Sequence, residues 1–175
     1  MNKLLVVVDM QNDFIDGTLG TPEAVAIVPN VVKKIENWDG DVVCTMDTHY
    51  ENYKETNEGK HLPVPHCIKG TDGWRINKDV DIAFENICNY FTVYSKGTFG
   101  STELAENIYD SDYDYVELIG LCTDICVVSN ALLIKAHCPE IDIVVDASCC
   151  AGVTPNSHKA ALTTMKMCQI DVIGE

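Results

Sequence analysis

The chain has 175 residues, of which 46% are hydrophobic, and its formal net charge is −15. Length and apolar content suit one globular domain over residues 1–175 and exclude a disordered chain. The negative charge repels phosphate backbones and anionic lipid, so neither nucleic acid nor membrane is an expected partner.

Apolar runs of strand length recur at Leu4–Val8, Val42–Met46, Phe91–Tyr94, Tyr115–Ile119, Ile141–Val145 and Ile170–Ile173. The first is too short for a secretory leader and ends in Asp9. None approaches the ~20 apolar residues of a membrane span. The runs are continuous rather than alternating, as in strands buried on both faces. Helix-length segments alternate with them at Pro22–Trp38, Asp79–Cys88, Ser101–Tyr109, Asp124–His137 and Pro155–Cys168. Thr21 is the expected N-cap of the first, with proline in its first turn. Strand alternating with helix predicts an α/β fold: a doubly wound, mostly parallel six-stranded sheet with helices on both faces. Thr48–Lys78 is a long irregular stretch, and loops of that length in a compact domain are usually functional. Nine cysteines without CxxC spacing or secretory context read as reduced thiols, which predicts a cytoplasmic protein.

In an open parallel sheet, ligands bind beyond the carboxyl ends of the strands. Polar residues gather there: Asp9 after the first run, Asp47 and His49 after the second, Ser95 and Lys96 after the third, and Gly120–Cys126 after the fourth. Thr123 is a candidate N-cap that places Cys126 in a first helical turn. Free N–H groups and the helix dipole there favour a thiolate and can hold an oxyanion. Asp9 could serve as a base for that thiol, and Lys96 could pair with Asp9. Each also has an ordinary reading: a buried structural thiol, a loop-capping carboxylate, an exposed lysine.

Asp9-Met10-Gln11-Asn12-Asp13-Phe14 resembles the D-x-Q-x-D-F opening of the isochorismatase-like cysteine hydrolases, and Gly120-Leu121-Cys122-Thr123-Asp124-Ile125-Cys126-Val127 resembles their G-x-x-T-D-x-C-V nucleophile motif. Tyr94-Ser95-Lys96 stands where that family has its catalytic lysine. The resemblance implies an Asp9–Lys96–Cys126 triad and attack of the thiol on an amide carbonyl. It also implies an oxyanion hole from the N–H groups of Cys122 and Cys126, a cis Leu121–Cys122 peptide, and commonly a homo-oligomer.

Asp47 and His49, two apart at a strand end, point to one side. With His66 and a carboxylate they suit a divalent metal with nitrogen and oxygen ligands, although spacing alone also fits surface polar residues. The resemblance is nearest to the nicotinamidases, which share this Asp-x-His and a Pro-rich stretch ending in His-Cys. It implies a Zn, Mn or Fe ion on Asp47, His49, His66 and a fourth ligand, here Glu58, with Glu55 and His61 as alternatives. The substrate so implied is nicotinamide or a similar small amide, with Phe14 against its ring. Pro63 stands where many of those enzymes have a stacking tryptophan, which leaves Leu62 or Trp74 to replace it.

Other readings are a different hydrolase of the superfamily (an N-carbamoyl amidase or isochorismatase), a ligand-binding module, or a thiol redox protein. No G-x-G-x-x-G follows the first strand and no G-x-x-x-x-G-K-[ST] occurs, which counts against nucleotide binding.

Overall fold

The computed structural model describes residues 1–87 and 91–175. In chain order its elements are β1 (Lys3–Val8), α1 (Asn12–Ile15), α2 (Pro22–Glu36), β2 (Asp41–Asp47), α3 (Asn57–His61), α4 (Lys78–Ile87), β3 (Thr92–Lys96), α5 (Thr102–Tyr109), β4 (Tyr115–Leu121), α6 (Val128–His137), β5 (Asp142–Ala151), α7 (Pro155–Met167) and β6 (Asp171–Ile173). The strands form one six-stranded sheet in the order β3-β2-β1-β4-β5-β6, and every pairing is parallel.

The pleat sorts the apolar runs onto two faces. Leu4, Val6 and Val8 of β1 meet Leu104 and Ile108 of α5, Ala131 and Ile134 of α6, and Leu162 and Met165 of α7. Leu5 and Val7 point the other way, onto Phe14 and Ile15 of α1, Val28, Val31 and Ile35 of α2, and Val80 and Phe84 of α4. Each large side chain so buried contributes roughly 1.5–3 kcal/mol. The expected architecture, with helices on both faces, is therefore the observed one. No helix among the described residues is long and apolar enough to cross a membrane.

Local signals set several helix starts. Thr21 caps α2 by accepting from the Ala24 N–H at 3.0 Å, and Pro22 opens the helix. Thr154 and Ser157 form a capping box on α7. Most strands run longer than the apolar runs: β3 extends to Lys96, and β5 continues through Cys149 and Cys150 to Ala151, paired with Gly120 and Leu121 after an irregularity in β4; β6 is one residue shorter than its run. The irregular stretch after β2 contains a 3-10 turn at Tyr53–Glu55 as well as α3. The predicted end of α4 at Cys88 lies outside the described residues.

The expected helix from Asp124 begins differently. Thr123–Val127 forms a π-helical turn that leads into α6, and Cys122, not Thr123, occupies the cap position. The Thr123 hydroxyl instead pairs with Nδ1 of His158 at 2.8 Å. The Leu121–Cys122 peptide is cis. Gly120 has φ +114°, and a Cβ there would lie 2.1 Å from the Val8 carbonyl oxygen. Only glycine permits this close approach of β4 to β1. The chain builds outward from β1 to β3, then returns to lay β4–β6 on the other side. The carboxyl ends of β1 and β4 thus flank the point where strand order reverses, where ligand crevices form.

Candidate active site and metal centre

Asp9, directly after β1, is fully buried with a left-handed backbone, φ +47°. Its Oδ1 accepts from the Thr45 hydroxyl at 2.6 Å, and Lys96 Nζ lies 2.6 Å from Oδ2. The same Nζ stands 3.5 Å from Sγ of Cys126 and 3.8 Å from Oδ1 of Asp47. The ends of β1 and β3 and the π-helical turn thus bring one acid, one ammonium and one thiol together, with Asp47 at the end of β2 beside them. Thr45, in the middle of an apolar strand, is the one polar clue to the second support of Asp9.

Burial raises the pKa of Asp9, and Asp47 adds to the shift, while Lys96 opposes it. Lys96 is also buried, but the facing charges of Asp9, Cys126 and Asp47 outweigh that and keep it an ammonium. Burial and the Asp9 carboxylate push the Cys126 thiol well above its ordinary value, with Lys96 opposing. The pull of the helix start towards a thiolate is thus opposed here, because desolvation and Asp9 both disfavour the charged form. Cys122 is likewise pushed up to about 12, first by burial and then by Asp124 and Asp9. The Asp124 carboxylate accepts from the Val153 N–H and ties the turn before α7 to the turn that carries Cys126.

The ligating atoms of Asp47, His49, Glu58 and His66 all lie within 4.8 Å of one another. Nε2 of His49 is 2.9 Å from Asp47 Oδ2 and 3.5 Å from Glu58 Oε1, yet this buried nitrogen has no aligned hydrogen-bond partner. Nδ1 of His66 lies 2.9 Å from the Val64 carbonyl oxygen. A carbonyl only accepts, so Nδ1 carries a proton and, in the neutral ring, Nε2 presents a lone pair. That lone pair faces Asp47 Oδ2 at 3.3 Å and Glu58 Oε1 at 3.6 Å. Two imidazole nitrogens and two carboxylates gathered this closely are a donor set that fits a divalent cation. Burial works to raise the Asp47 pKa, but contacts with His49 and His66 hold it well below the usual carboxylate range. Neither Glu55 nor His61 belongs to this cluster.

Several residues hold the metal set, and the sequence marks them only in part. Tyr53 is buried under both imidazoles, with its ring centroid 4.7 Å from His49 and 5.1 Å from His66. Its hydroxyl donates to the Leu62 carbonyl at 2.9 Å. Asp13, from the first motif, accepts from the Cys67 N–H at 2.8 Å and so fixes the residue after His66.

A cavity of about 650 Å³ opens beside this cluster. It is lined by His49, Glu58 and Leu62 and by Gly97, Phe99 and Ile125, chain neighbours of Lys96 and Cys126. Leu62, one of the expected substrate contacts, is among the lining residues. Phe14 and Trp74 are not among the lining residues: Phe14 packs on His66, centroids 5.5 Å apart, and the Trp74 indole donates to the Thr48 hydroxyl at 3.0 Å. Of the large apolar cavity residues, Leu62 is an expected contact and Ile125 belongs to the motif; Phe99 is the one that the sequence does not single out.

The isochorismatase domain model matches residues 3–174. The uncharacterized isochorismatase family protein PncA of Bacillus subtilis is 31% identical over 175 residues, spanning 93% of each chain. The crystal structure of nicotinamidase/pyrazinamidase PncA from Bacillus subtilis aligns with a TM-score of 0.83 at 27% identity, covering 99% of this chain and 100% of that one. The pyrazinamidase of Pyrococcus horikoshii in complex with zinc aligns with a TM-score of 0.81 at 25% identity, covering 100% of both.

Proposed function

The chain belongs to the isochorismatase domain family, and we propose that it is a cysteine amidohydrolase that releases ammonia from nicotinamide or a similar small amide. The observation that carries this reading is the position of Lys96 Nζ, 2.6 Å from Asp9 and 3.5 Å from the Cys126 thiol.

In the proposed reaction Asp9 takes the proton of Cys126 as Sγ bonds to the amide carbon. The raised pKa of Asp9 strengthens it as a base, and the buried thiol needs such an acceptor. Lys96 stays protonated, orients Asp9 and balances the charge that passes between acid and thiol. The oxyanion is held by the backbone N–H groups of Cys122 and Cys126. As the C–N bond breaks, Asp9 returns the proton to nitrogen and ammonia leaves a thioester. Water then adds, giving its proton to Asp9; the C–S bond breaks, the acid product departs and the thiol is regenerated.

Asp47, His49, Glu58 and His66 would hold one divalent ion, with Zn, Mn and Fe all suited to the donor set. Bound there, the ion would supply a coordination site that orients a donor atom of the substrate. The zinc complex of the Pyrococcus horikoshii neighbour supports this assignment. The described cysteines are all free thiols, which suits a reducing, cytoplasmic setting.

Ammonia release from a panel of small amides by metal-replete protein, wild type beside Cys126→Ala, tests the reading. Release by wild type and none by the variant is expected; equal release by both would overturn the covalent mechanism.

A further inference from the structure

The turn that carries Cys126 is anchored at both ends by side chains outside it. At the far end the Cys126 carbonyl accepts from Nδ2 of Asn130 at 2.8 Å. The same amide donates to the Phe99 carbonyl at 3.3 Å and accepts from the Ser101 N–H at 2.9 Å. At the near end Thr123 is fully buried, and its hydroxyl lies 2.8 Å from Nδ1 of His158 in the first turn of α7. Cys122 directly precedes the first anchor, and Cys126 is the second.

The direction of the Thr123–His158 bond follows from its chemistry. A buried hydroxyl needs an acceptor for its one proton. Nδ1 of His158 is the one partner of this hydroxyl among the described residues, so Thr123 donates and Nδ1 accepts. That requires the neutral ring, with its proton on Nε2. The surroundings agree: burial lowers the His158 pKa, with a lesser push from Lys159, and outweighs the carboxylates of Asp124 and Glu175. His158 is itself held in place. Its backbone N–H donates to the Thr154 carbonyl at 2.9 Å, within the capping box of α7. Gly152 passes so close that a Cβ there would stand 2.9 Å from Cβ of His158. The residue also borders a cavity of about 280 Å³ with Ile27, Cys150 and Pro155. A shortened side chain would enlarge that cavity rather than bring up another side chain to Thr123.

We propose that His158 is the positioning residue of the nucleophile turn: by accepting the Thr123 proton it sets the N–H groups of Cys122 and Cys126 at the spacing an oxyanion needs. This rests on the amidase reading for turnover, while the oxyanion hole can be read without it. Thr123 follows Cys122 directly and precedes Cys126 by three residues, so freeing it lets both N–H groups drift. An oxyanion forms only as the attacked carbon becomes tetrahedral, so the drift costs kcat rather than KM.

Two assays test this. One is kcat and KM for ammonia release from nicotinamide, per active site counted by iodoacetamide labelling of Cys126. The other is equilibrium addition of Cys126 to pyridine-3-carbaldehyde. There Sγ bonds to the carbonyl carbon, the C=O electron pair moves onto oxygen, the thiol proton passes to Asp9, and no group leaves. Thr123→Val and His158→Ala should each lower kcat at least about tenfold with KM nearly unchanged, and weaken the adduct by a similar factor, somewhat less than the loss of a whole oxyanion donor. His158→Asn, whose Oδ1 can stand in for Nδ1, should recover most of both. The double variant should lose no more than either single one. A merely structural role would lower the melting temperature and the number of labelled sites but leave kcat per site unchanged, and that result overturns the proposal. Fully multiplicative losses in the double variant overturn it as well. Should His158→Ala not fold, Thr123→Val, which removes the same bond from its other end, decides alone. If wild type releases no ammonia from nicotinamide, the amidase reading fails, while the aldehyde adduct still decides the role of His158.

Discussion

Gln11 grips the backbone of Asp47 from both sides: its Nε2 donates to the Asp47 carbonyl at 2.8 Å, and its Oε1 accepts from the Asp47 N–H at 2.8 Å. The same Nε2 donates to the Trp74 carbonyl at 2.8 Å. A candidate metal ligand at a strand end is thereby fixed by a residue from the neighbouring strand's exit. Gln11→Glu keeps the length of the side chain but turns an acceptor onto two carbonyls. Metal affinity should fall roughly 10–100-fold, as for other residues that support ligands. Titration with zinc under competition from a chelator measures this, and unchanged affinity would sink the role assigned to Gln11.

Metal content tests the cluster itself. Wild type, His66→Ala and Glu58→Gln are to be purified under metal-replete conditions and measured by elemental analysis. Near-stoichiometric metal is expected in wild type and little in His66→Ala. Glu58 is the more exposed ligand, so Glu58→Gln should weaken retention rather than abolish it. Wild type without metal would remove the site.

Among the triad residues, Cys126→Ala should lower turnover ~10⁴-fold or more, as losing a nucleophile does elsewhere, while the melting temperature stays within a few degrees. Asp9→Asn removes the base and should cost ~10²–10⁴-fold, and alkylation of Cys126 should slow. Cys149→Ala and Cys150→Ala, on β5, serve as comparisons and should retain turnover. Alkylation of Asp9→Asn at the wild-type rate at every pH would mean that Asp9 does not control the thiol.

Away from the cleft, Lys34 Nζ is 2.7 Å from both Glu117 Oε1 and Asp146 Oδ2. Burial would raise the Asp146 pKa, but hydrogen bonds from Lys34 and Ser148 lower it below 3.8. A depressed folded pKa contributes stability above the unfolded value of about 3.9, and that stability is lost as pH falls through the folded value. For Lys34, burial opposes the charge but the two carboxylates prevail and raise its pKa. Its contribution is therefore complete below the unfolded value of about 10.4 and is lost only at higher pH, as the folded pKa is passed. Urea midpoints should stay level between about pH 5 and 9 on this account and drop below about pH 4. Lys34→Met should be less stable at pH 7, with the deficit shrinking on acidification; a deficit that does not change with pH would refute this account.

Gly120→Ala places a methyl 2.1 Å from the Val8 carbonyl oxygen at a φ of +114°. The strain should destabilise the fold by about 2 kcal/mol or more. Part of any relaxation would separate β1 from β4, so turnover should fall further than stability alone predicts. Wild-type melting in this variant would show that the two strands can part without cost.

The sequence alone determined the layered architecture and the candidate site residues. Hydrophobic periodicity is local, so six buried runs with helices between them were legible as a parallel sheet covered on both faces. The two motifs and the Asp47–His49 pair were legible because each is contiguous or nearly so. Strand ends were less legible, because pairing with a neighbour, not composition, carries β5 through Ser148 to Ala151. The tertiary structure decided what depends on distant partners. The sharing of Lys96 between Asp9 and Asp47 follows from the order β3-β2-β1, with Thr45 on the middle strand reaching Asp9. The upward push on the Cys126 pKa comes from burial beside a carboxylate 117 positions earlier in the chain, and it opposes the local pull of a helix start. Phe99 and Asn130 carry no motif and acquire their places only when the turn after Lys96 meets α6. Burial, desolvation and side-chain hydrogen bonding are properties of neighbours in space, and those neighbours exist only once the sheet has assembled.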